Sequence, residues 1–193
     1  MVVLNKIYTR TGDDGSTALG SGERCPKFAL RIAAYGTVDE TNSAVGMARA
    51  HLAGADPELD AKLALIQNDL FDLGADLCVP DRGQKAGHAA LRITQPQVDR
   101  LEAEIDAMNA DLKPLRSFVL PAGAPAAAAL HVARTVSRRA ERLMVELAAE
   151  PNEKVSPEAL KYINRLSAYL FVASRHVNHR AGGDVLWVPG KSR

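Results

Sequence analysis

Asp56-Pro57-Glu58-Leu59-Asp60-Ala61-Lys62-Leu63-Ala64-Leu65-Ile66-Gln67-Asn68-Asp69-Leu70-Phe71-Asp72-Leu73-Gly74-Ala75-Asp76-Leu77 decides the fold class. Leu59, Leu63, Ile66, Leu70, Leu73 and Leu77 recur at steps of three and four, which lines one face of a helix. Pro57 suits the first turn of that helix, where no intrahelical N–H is needed. Upstream, Ile32, Tyr35, Val38, Val45, Ala48 and Leu52 predict a first helix after Lys27, ending near Gly54. Downstream, Pro80 to Ile93 is charged, glycine-containing and aperiodic, and predicts an exposed, mobile loop. Thr94 then caps a third helix with Val98, Leu101, Ile105, Met108 and Leu112 inward. Lys113 to Gly123 reads as a connection. A fourth helix runs from about Pro125 to Glu150 and breaks at Pro151-Asn152. Ser156-Pro157-Glu158 opens a fifth, which reaches about Ala181 and stops at Gly182-Gly183. The tail, Asp184 to Arg193, predicts a short extended piece around Trp187. Five helices with mainly short connections, abundant Ala and few aromatics predict an all-α bundle. We divide it into an N-terminal segment (1–27), the helical bundle (28–182) and a C-terminal tail (183–193), all within a single domain.

A chain of 193 residues is long enough for one domain with a real core. With 24 basic and 23 acidic residues, it has no general attraction to nucleic acid or to an anionic membrane. No run of about 18 apolar residues exists, so no membrane span is expected. The start, MVVLNKIYTR, lacks an apolar stretch with a cleavage site, so no secretory signal is expected. Cys25 and Cys78 are far apart and form no C-x-x-C, which points to a reduced, cytoplasmic protein with inert thiols.

Two stretches carry candidate chemistry. The first is Ile7-Tyr8-Thr9-Arg10-Thr11-Gly12-Asp13-Asp14-Gly15-Ser16-Thr17, continuing through Gly20-Ser21-Gly22-Glu23-Arg24 to Lys27. Its glycines let backbone N–H groups approach an anion without Cβ obstruction, and hydroxyls and cations add donors. The same residues also suit an ordinary turn-rich loop. Neither a Walker A string nor the dinucleotide fingerprint occurs, so any phosphate is held in another way. The second is the fourth helix, where Arg134, Arg138 and Glu141 share a face beside the stripe Leu130, Ala133, Ala140, Leu143, Met144 and Leu147. Guanidiniums beside an apolar stripe suit bidentate carboxylate or phosphate contacts, with Glu141 able to orient an arginine. A solvated basic face, extended by Arg139 and Arg142, is the plainer alternative. In the fifth helix Asn164 sits mid-helix, where capping cannot explain it, and suits a buried polar partner or a ligand. Asp39 lies early in the first helix, where the dipole alone favours a carboxylate. Gly46 and Ala50 would let another helix approach closely. The histidines carry no metal signal: His176 and His179 are three apart, and no E-x-x-H, H-E-x-x-H or G-x-S-x-G occurs. No metal ligand set is assigned.

Together these segments resemble the PduO-type ATP:cob(I)alamin adenosyltransferases. The matching pieces are Tyr8 to Thr17, Gly22-Glu23-Arg24 to Lys27, Ala34-Tyr35-Gly36-Thr37-Val38-Asp39-Glu40, Phe118-Val119-Leu120-Pro121, Ala133-Arg134 to Arg142, and Leu160 to Ser167, in family order over nearly the whole chain. The resemblance implies a five-helix bundle that assembles as a homotrimer with sites between subunits. It implies that ATP, with Mg²⁺ on its triphosphate, donates its 5′-deoxyadenosyl group to the cobalt of cob(I)alamin. By position, Thr9, Arg10, Thr11, Gly12, Gly15, Ser16, Thr17 and Lys27 would cradle ATP, completed by Arg138, Arg139, Glu141, Arg142 and Asn164. Arg134 and Asp39 match the pair that meets across the subunit boundary. Phe118 matches the aromatic on the lower face of the corrin, where it displaces the axial base. Partners would be these substrates, further copies of the chain, and a cobalamin-dependent enzyme or a reductase. Two departures stand out. Pro121-Ala122-Gly123-Ala124 replaces a family-like PGGS, and Thr41 stands where Leu is usual.

The chemistry suits this inventory. Cob(I)alamin is itself a strong nucleophile, so no Ser, Cys or base need attack, and the protein has to orient two substrates and stabilise a polyanionic leaving group. Two other readings use the same residues: a non-enzymatic helical assembly protein, and an ATP-binding regulatory module. Neither needs Phe118 to face a corrin.

Overall fold

The computed structural model describes residues 7–52, 54–81 and 90–193. Five helices form the molecule: α1 (Leu30–Leu52), α2 (Pro57–Cys78), α3 (Gln95–Asn109), α4 (Pro125–Ala149) and α5 (Pro157–Arg180). A small antiparallel hairpin precedes them, β1 (Ser16–Ala18) and β2 (Arg24–Pro26), with Thr17 opposite Cys25. The sequence reading had no strands in this segment. Pairing arises because Gly15 and Gly22 take positive φ, 82° and 85°, which lets the chain reverse tightly at each end.

α1 packs along α4 and α2, α4 along α5, and α3 along α5, with α2 also reaching α5. The leucine stripe of α2 is buried throughout, as are Leu130, Met144 and Leu147 of α4 and Tyr162, Leu166 and Tyr169 of α5. Helix ends follow the expected signals. Asp56 Oδ1 accepts the Leu59 N–H at 3.1 Å, and Ser156 Oγ accepts that of Ala159 at 3.2 Å. Gln97 Oε1 accepts the Thr94 N–H at 2.9 Å. α3 ends at Asn109, before Leu112, which still packs on the core from the following turn. Gly46 does admit a close helix, but the neighbour is α2 of the same chain. A Cβ there would lie 3.2 Å from Gln67 Nε2, and Gln67 exchanges hydrogen bonds with Asn42.

The segment read as an exposed loop is pinned at its downstream edge. Ile93 is buried and donates its N–H to Asp76 at 2.9 Å, and Arg92 binds the same carboxylate at 2.7 Å. The middle of that segment, 82–89, lies outside the described residues. The fourth connection is anchored too: Arg31, buried in α1, donates to Leu77 O and to Glu153 at 2.6 Å.

One buried polar knot joins three helices. Asp69 of α2 accepts hydrogen bonds from Tyr162 of α5 at 2.8 Å, from Gln97 of α3 at 3.0 Å, and from Arg100 of α3. Burial first, then the Asp69 charge, pushes the Tyr162 hydroxyl well above its ordinary range, so it stays a donor. α3 touches the bundle chiefly through α5, so this knot sets its register. Asp69→Ala should destabilise the fold by about 3–5 kcal/mol, because Arg100 and Tyr162 lose their buried acceptor. Urea unfolding of wild type and variant measures this. A change below about 1 kcal/mol would show the knot to be replaceable.

Candidate functional site

The N-terminal cradle is built mostly from its own residues. Gly15 N–H donates to Gly12 O at 3.2 Å, and Lys27 N–H to Gly15 O at 2.9 Å, closing the turn around Gly12. A Cβ at Gly12 would sit 3.1 Å from Lys27 Nζ, so the Lys27 ammonium lies directly over the glycine backbone. Thr9 and Thr11 hydroxyls are 2.9 Å apart. Asp14 accepts from Ser16 Oγ at 2.7 Å and Ser16 N at 2.9 Å, and these bonds, helped by Arg24, hold its carboxyl below the usual range. Arg24 also donates to Thr11 O at 2.7 Å and to Ser16 Oγ. Arg10 has φ +63°, a left-handed conformation rarely adopted by a residue with a side chain. Such strain costs about 1–3 kcal/mol and clusters at ligand clamps. The hairpin is tied to the bundle where Gly20 N–H meets Cys78 O at 2.9 Å and Leu19 is buried.

The α4 cations form a second set. Arg139 pairs with Glu40 of α1. Arg142 donates to Arg138 O at 3.0 Å. Arg138 makes no ion pair among the described residues, and its side chain is exposed. Glu141 does not orient an arginine, as the sequence suggested. It accepts from Asn164 Nδ2 at 2.6 Å, while Asn164 Oδ1 accepts from Arg165 at 2.8 Å. Among the described residues, no hydrogen bond or ion pair joins Thr9–Thr17 or Lys27 to Arg138, Arg139, Arg142 or Asn164. The two candidate sets are therefore not bonded to each other among the described residues.

Arg134 and Asp39 behave similarly. Asp39 is exposed and forms no ion pair among the described residues. Arg134 is partly buried, and burial followed by the positive charge of Arg138 lowers its pKa. A cation so placed calls for an anion, and none pairs with it among the described residues.

Sequence reasoning missed the support beneath Arg134. Arg134 Nε donates to His131 Nδ1 at 3.4 Å, and His131 Nε2 lies 3.2 Å from Ser174 Oγ, which itself donates to Phe171 O at 2.7 Å. This chain of donors assigns His131 as neutral with its proton on Nε2. The position i−3 from Arg134 was the available signal.

Phe118 stands apart, 76% exposed on the connection before α4. The C-terminal tail pairs with that connection: Trp187 N–H donates to Phe118 O at 2.8 Å, Leu120 N–H to Val185 O at 2.8 Å, and Ser117 Oγ to Trp187 O at 2.7 Å. The Trp187 ring lies 5.9 Å from that of Phe118, tilted by 56°. The extended tail was expected; its docking on Phe118 was not. The two departures from the family pattern are structurally mild. Ala122 and Ala124 use only backbone groups in their bonds to Asn178, and Thr41 is buried with its hydroxyl donating to Thr37 O at 2.8 Å.

Burial, then Arg134, lowers the His131 pKa below its ordinary 6.5. On acidification the unfolded chain takes up this proton first, so stability is lost as pH falls below 6.5 toward the folded value. His131→Gln should flatten this slope by up to about 1.4 kcal/mol per pH unit. Urea unfolding from pH 8 to 5 tests it, and identical slopes would show that His131 does not titrate on unfolding.

A family model for cobalamin adenosyltransferases matches residues 7–177. A corrinoid adenosyltransferase of Mycobacterium leprae is 51% identical over 190 residues, covering 97% of each chain. One from Bacillus subtilis is 44% identical, covering 93% of this chain and 91% of that one. A variant PduO-type ATP:corrinoid adenosyltransferase from Lactobacillus reuteri, complexed with cobalamin and ATP, superposes with a TM-score of 0.85 at 40% identity, covering 94% of this chain and 99% of that one. With the helical order, the glycine-backed cradle and the arginine face already in place, these likenesses show that the chain belongs to the cobalamin adenosyltransferase family.

Proposed function

We propose that this protein transfers the 5′-deoxyadenosyl group of ATP to the cobalt of cob(I)alamin, giving adenosylcobalamin and triphosphate. The observation that carries the reading is Phe118, a large aromatic that faces solvent yet is fixed by backbone pairing to the tail. A flat apolar substrate such as a corrin would cover it, and a purely structural assembly or a nucleotide sensor has no use for it. The cobalt supplies the electron pair that forms the Co–C5′ bond. The C5′–O bond breaks, and its pair leaves with the triphosphate. The chain's own groups position and stabilise. Backbone N–H groups around Gly12 and Gly15, the hydroxyls of Thr9, Thr11, Ser16 and Thr17, and Lys27 suit the phosphates. Arg139 is already neutralised by Glu40, so the remaining phosphate charge falls first to Arg138 and Arg142. Mg²⁺ would travel on the triphosphate, and the hard oxygens of Thr9, Thr11 and Asp13 are of the type that accepts it.

We further propose that the two halves meet across subunits of a homotrimer, with Asp39 of one chain answering Arg134 of the next. The support is that neither group has an ion-pair partner among the described residues. Cytoplasmic location fits the reading, and no helix among the described residues is long and apolar enough to cross a membrane. A reductase that delivers Co(I) and a cobalamin-dependent enzyme that takes the product are the protein partners this chemistry calls for.

The direct test is spectroscopic. Protein, ATP and reduced cobalamin should yield the absorption spectrum of adenosylcobalamin together with free triphosphate. ATP binding without that product would favour a regulatory module instead. Arg138→Ala should lower kcat/KM by roughly 2–4 kcal/mol of transition-state stabilisation with little change in melting temperature. Near wild-type turnover would return the basic face to solvation. Asp39→Ala should weaken assembly by about 2–5 kcal/mol, seen as dissociation in sedimentation at micromolar protein. An active wild-type monomer would overturn the intersubunit site.

A further inference from the structure

The Phe118 ring is largely exposed and its aromatic contact is Trp187 of the tail, so its direction is set by the backbone that carries the two. Three devices hold that backbone. The tail pairs with it through Leu120, Trp187 and Ser117. Arg175, buried in α5, donates to Asp184 at 2.9 Å and to Lys113 O at 2.8 Å, fastening the tail's first residues to the start of the connection. The third device is Asn178, 1% exposed in the last turn of α5.

Asn178 engages both ends of its amide and its backbone carbonyl. Its Nδ2 donates to Ala122 O at 3.0 Å, and its Oδ1 accepts the Ala124 N–H at 3.0 Å. Its own carbonyl accepts Ala181 N–H at 2.9 Å and Gly183 N–H at 2.7 Å, ending α5 and turning the chain into the tail. The side chain grips the loop that follows Phe118, and the backbone launches the strand that pairs with Phe118. Gly123, between the two gripped residues, has φ +106°, and a Cβ there would come 2.1 Å from Asn178 Oδ1. Only glycine allows the amide to approach this closely. No other side chain offers both donor and acceptor at this reach: Asp loses the donor and Leu loses both.

We propose that Asn178 is a positioning residue for the aromatic face that Phe118 presents to the corrinoid substrate. It acts through the 121–124 loop and the returning tail, and touches neither substrate. The proposal rests on the adenosyl-transfer reading above, and its test separates the two.

Two full-chain variants approach the contact from opposite sides. Asn178→Ala removes the amide, and Gly123→Ala pries it away while α5 keeps its sequence. Trp187 is the only tryptophan, so its fluorescence reports tail docking without any turnover. Both variants should shift Trp187 emission toward the red. Both should keep the KM for ATP within about twofold and lower kcat/KM for cobalamin about tenfold or more. The four-coordinate Co(II) absorption expected of wild type with ATP and Co(II) cobalamin, where Phe118 excludes the axial base, should shrink in both variants. Asn178→Asp, which keeps the Ala124 bond, should fall between Asn178→Ala and wild type. Equal losses toward ATP and cobalamin, or an unchanged Co(II) spectrum despite displaced Trp187, would overturn the proposal. Early melting with lost ATP binding in both variants would assign Asn178 to folding and overturn it as well. If wild type fails to adenosylate cobalamin, the functional reading falls, and an unshifted Trp187 emission in the variants would then separately refute the docking role.

Discussion

The close packing of α4 between α1 and α5 is the constraint on which the rest of the structure depends. Ala126, Ala127, Ala133, Ser137 and Ala140 are all buried on α4, and small side chains there let two helices lie against it at once. With so narrow a buried stripe, the long side chains of the same helix are forced to its edges. Arg138, Arg139 and Arg142 therefore emerge exposed at the edge of that stripe, and Arg134 only partly so. Arg134 is caught partly inside, over the His131–Ser174 pair, and its pKa falls because burial and Arg138 both oppose its charge.

The candidate binding groups lie in three places. The hairpin cradle is a short, strained and glycine-dependent structure held to α2 at Gly20. The α4–α5 seam holds Glu141 and Asn164 in a mutual hydrogen bond, which fixes a polar point beside exposed cations. The Phe118 loop lies at the other end of α4, controlled by the last turn of α5 and by the tail. Each place is rigid for its own reason, but the first two share no bond among the described residues. If a neighbouring copy completes the site, as proposed, electrostatic stabilisation comes without burying an uncompensated cluster of like charge in a single fold.

The fold was largely legible in the chain because helix formation here follows local period and local punctuation. The leucine stripe of α2, the proline-started helices and the Gly182-Gly183 stop are written in residues a few positions apart. The hairpin was not legible, since three-residue strands carry too little alternation to be distinguished from a turn-rich loop. The identity of the charged residues at the candidate site was equally visible, but their pairings were not. Glu141 turned out to serve Asn164, and Arg139 to serve Glu40, because which side chains meet depends on how α4 is rotated against α5 and α1.

By itself, then, the sequence determined the helical class, the helix limits to within a few residues and the inventory of glycines, hydroxyls and arginines that makes anion chemistry possible. Those properties depend on neighbours in the chain. Only the tertiary structure decided that His131 supports Arg134, that Asp69 ties three helices together, and that Asn178 and the tail hold Phe118 exposed. Asn178 lies more than fifty residues from the loop it grips, with Ala124 54 positions and Ala122 56 positions away. Such contacts are fixed by the packing angle of whole helices, which no local pattern of residues encodes.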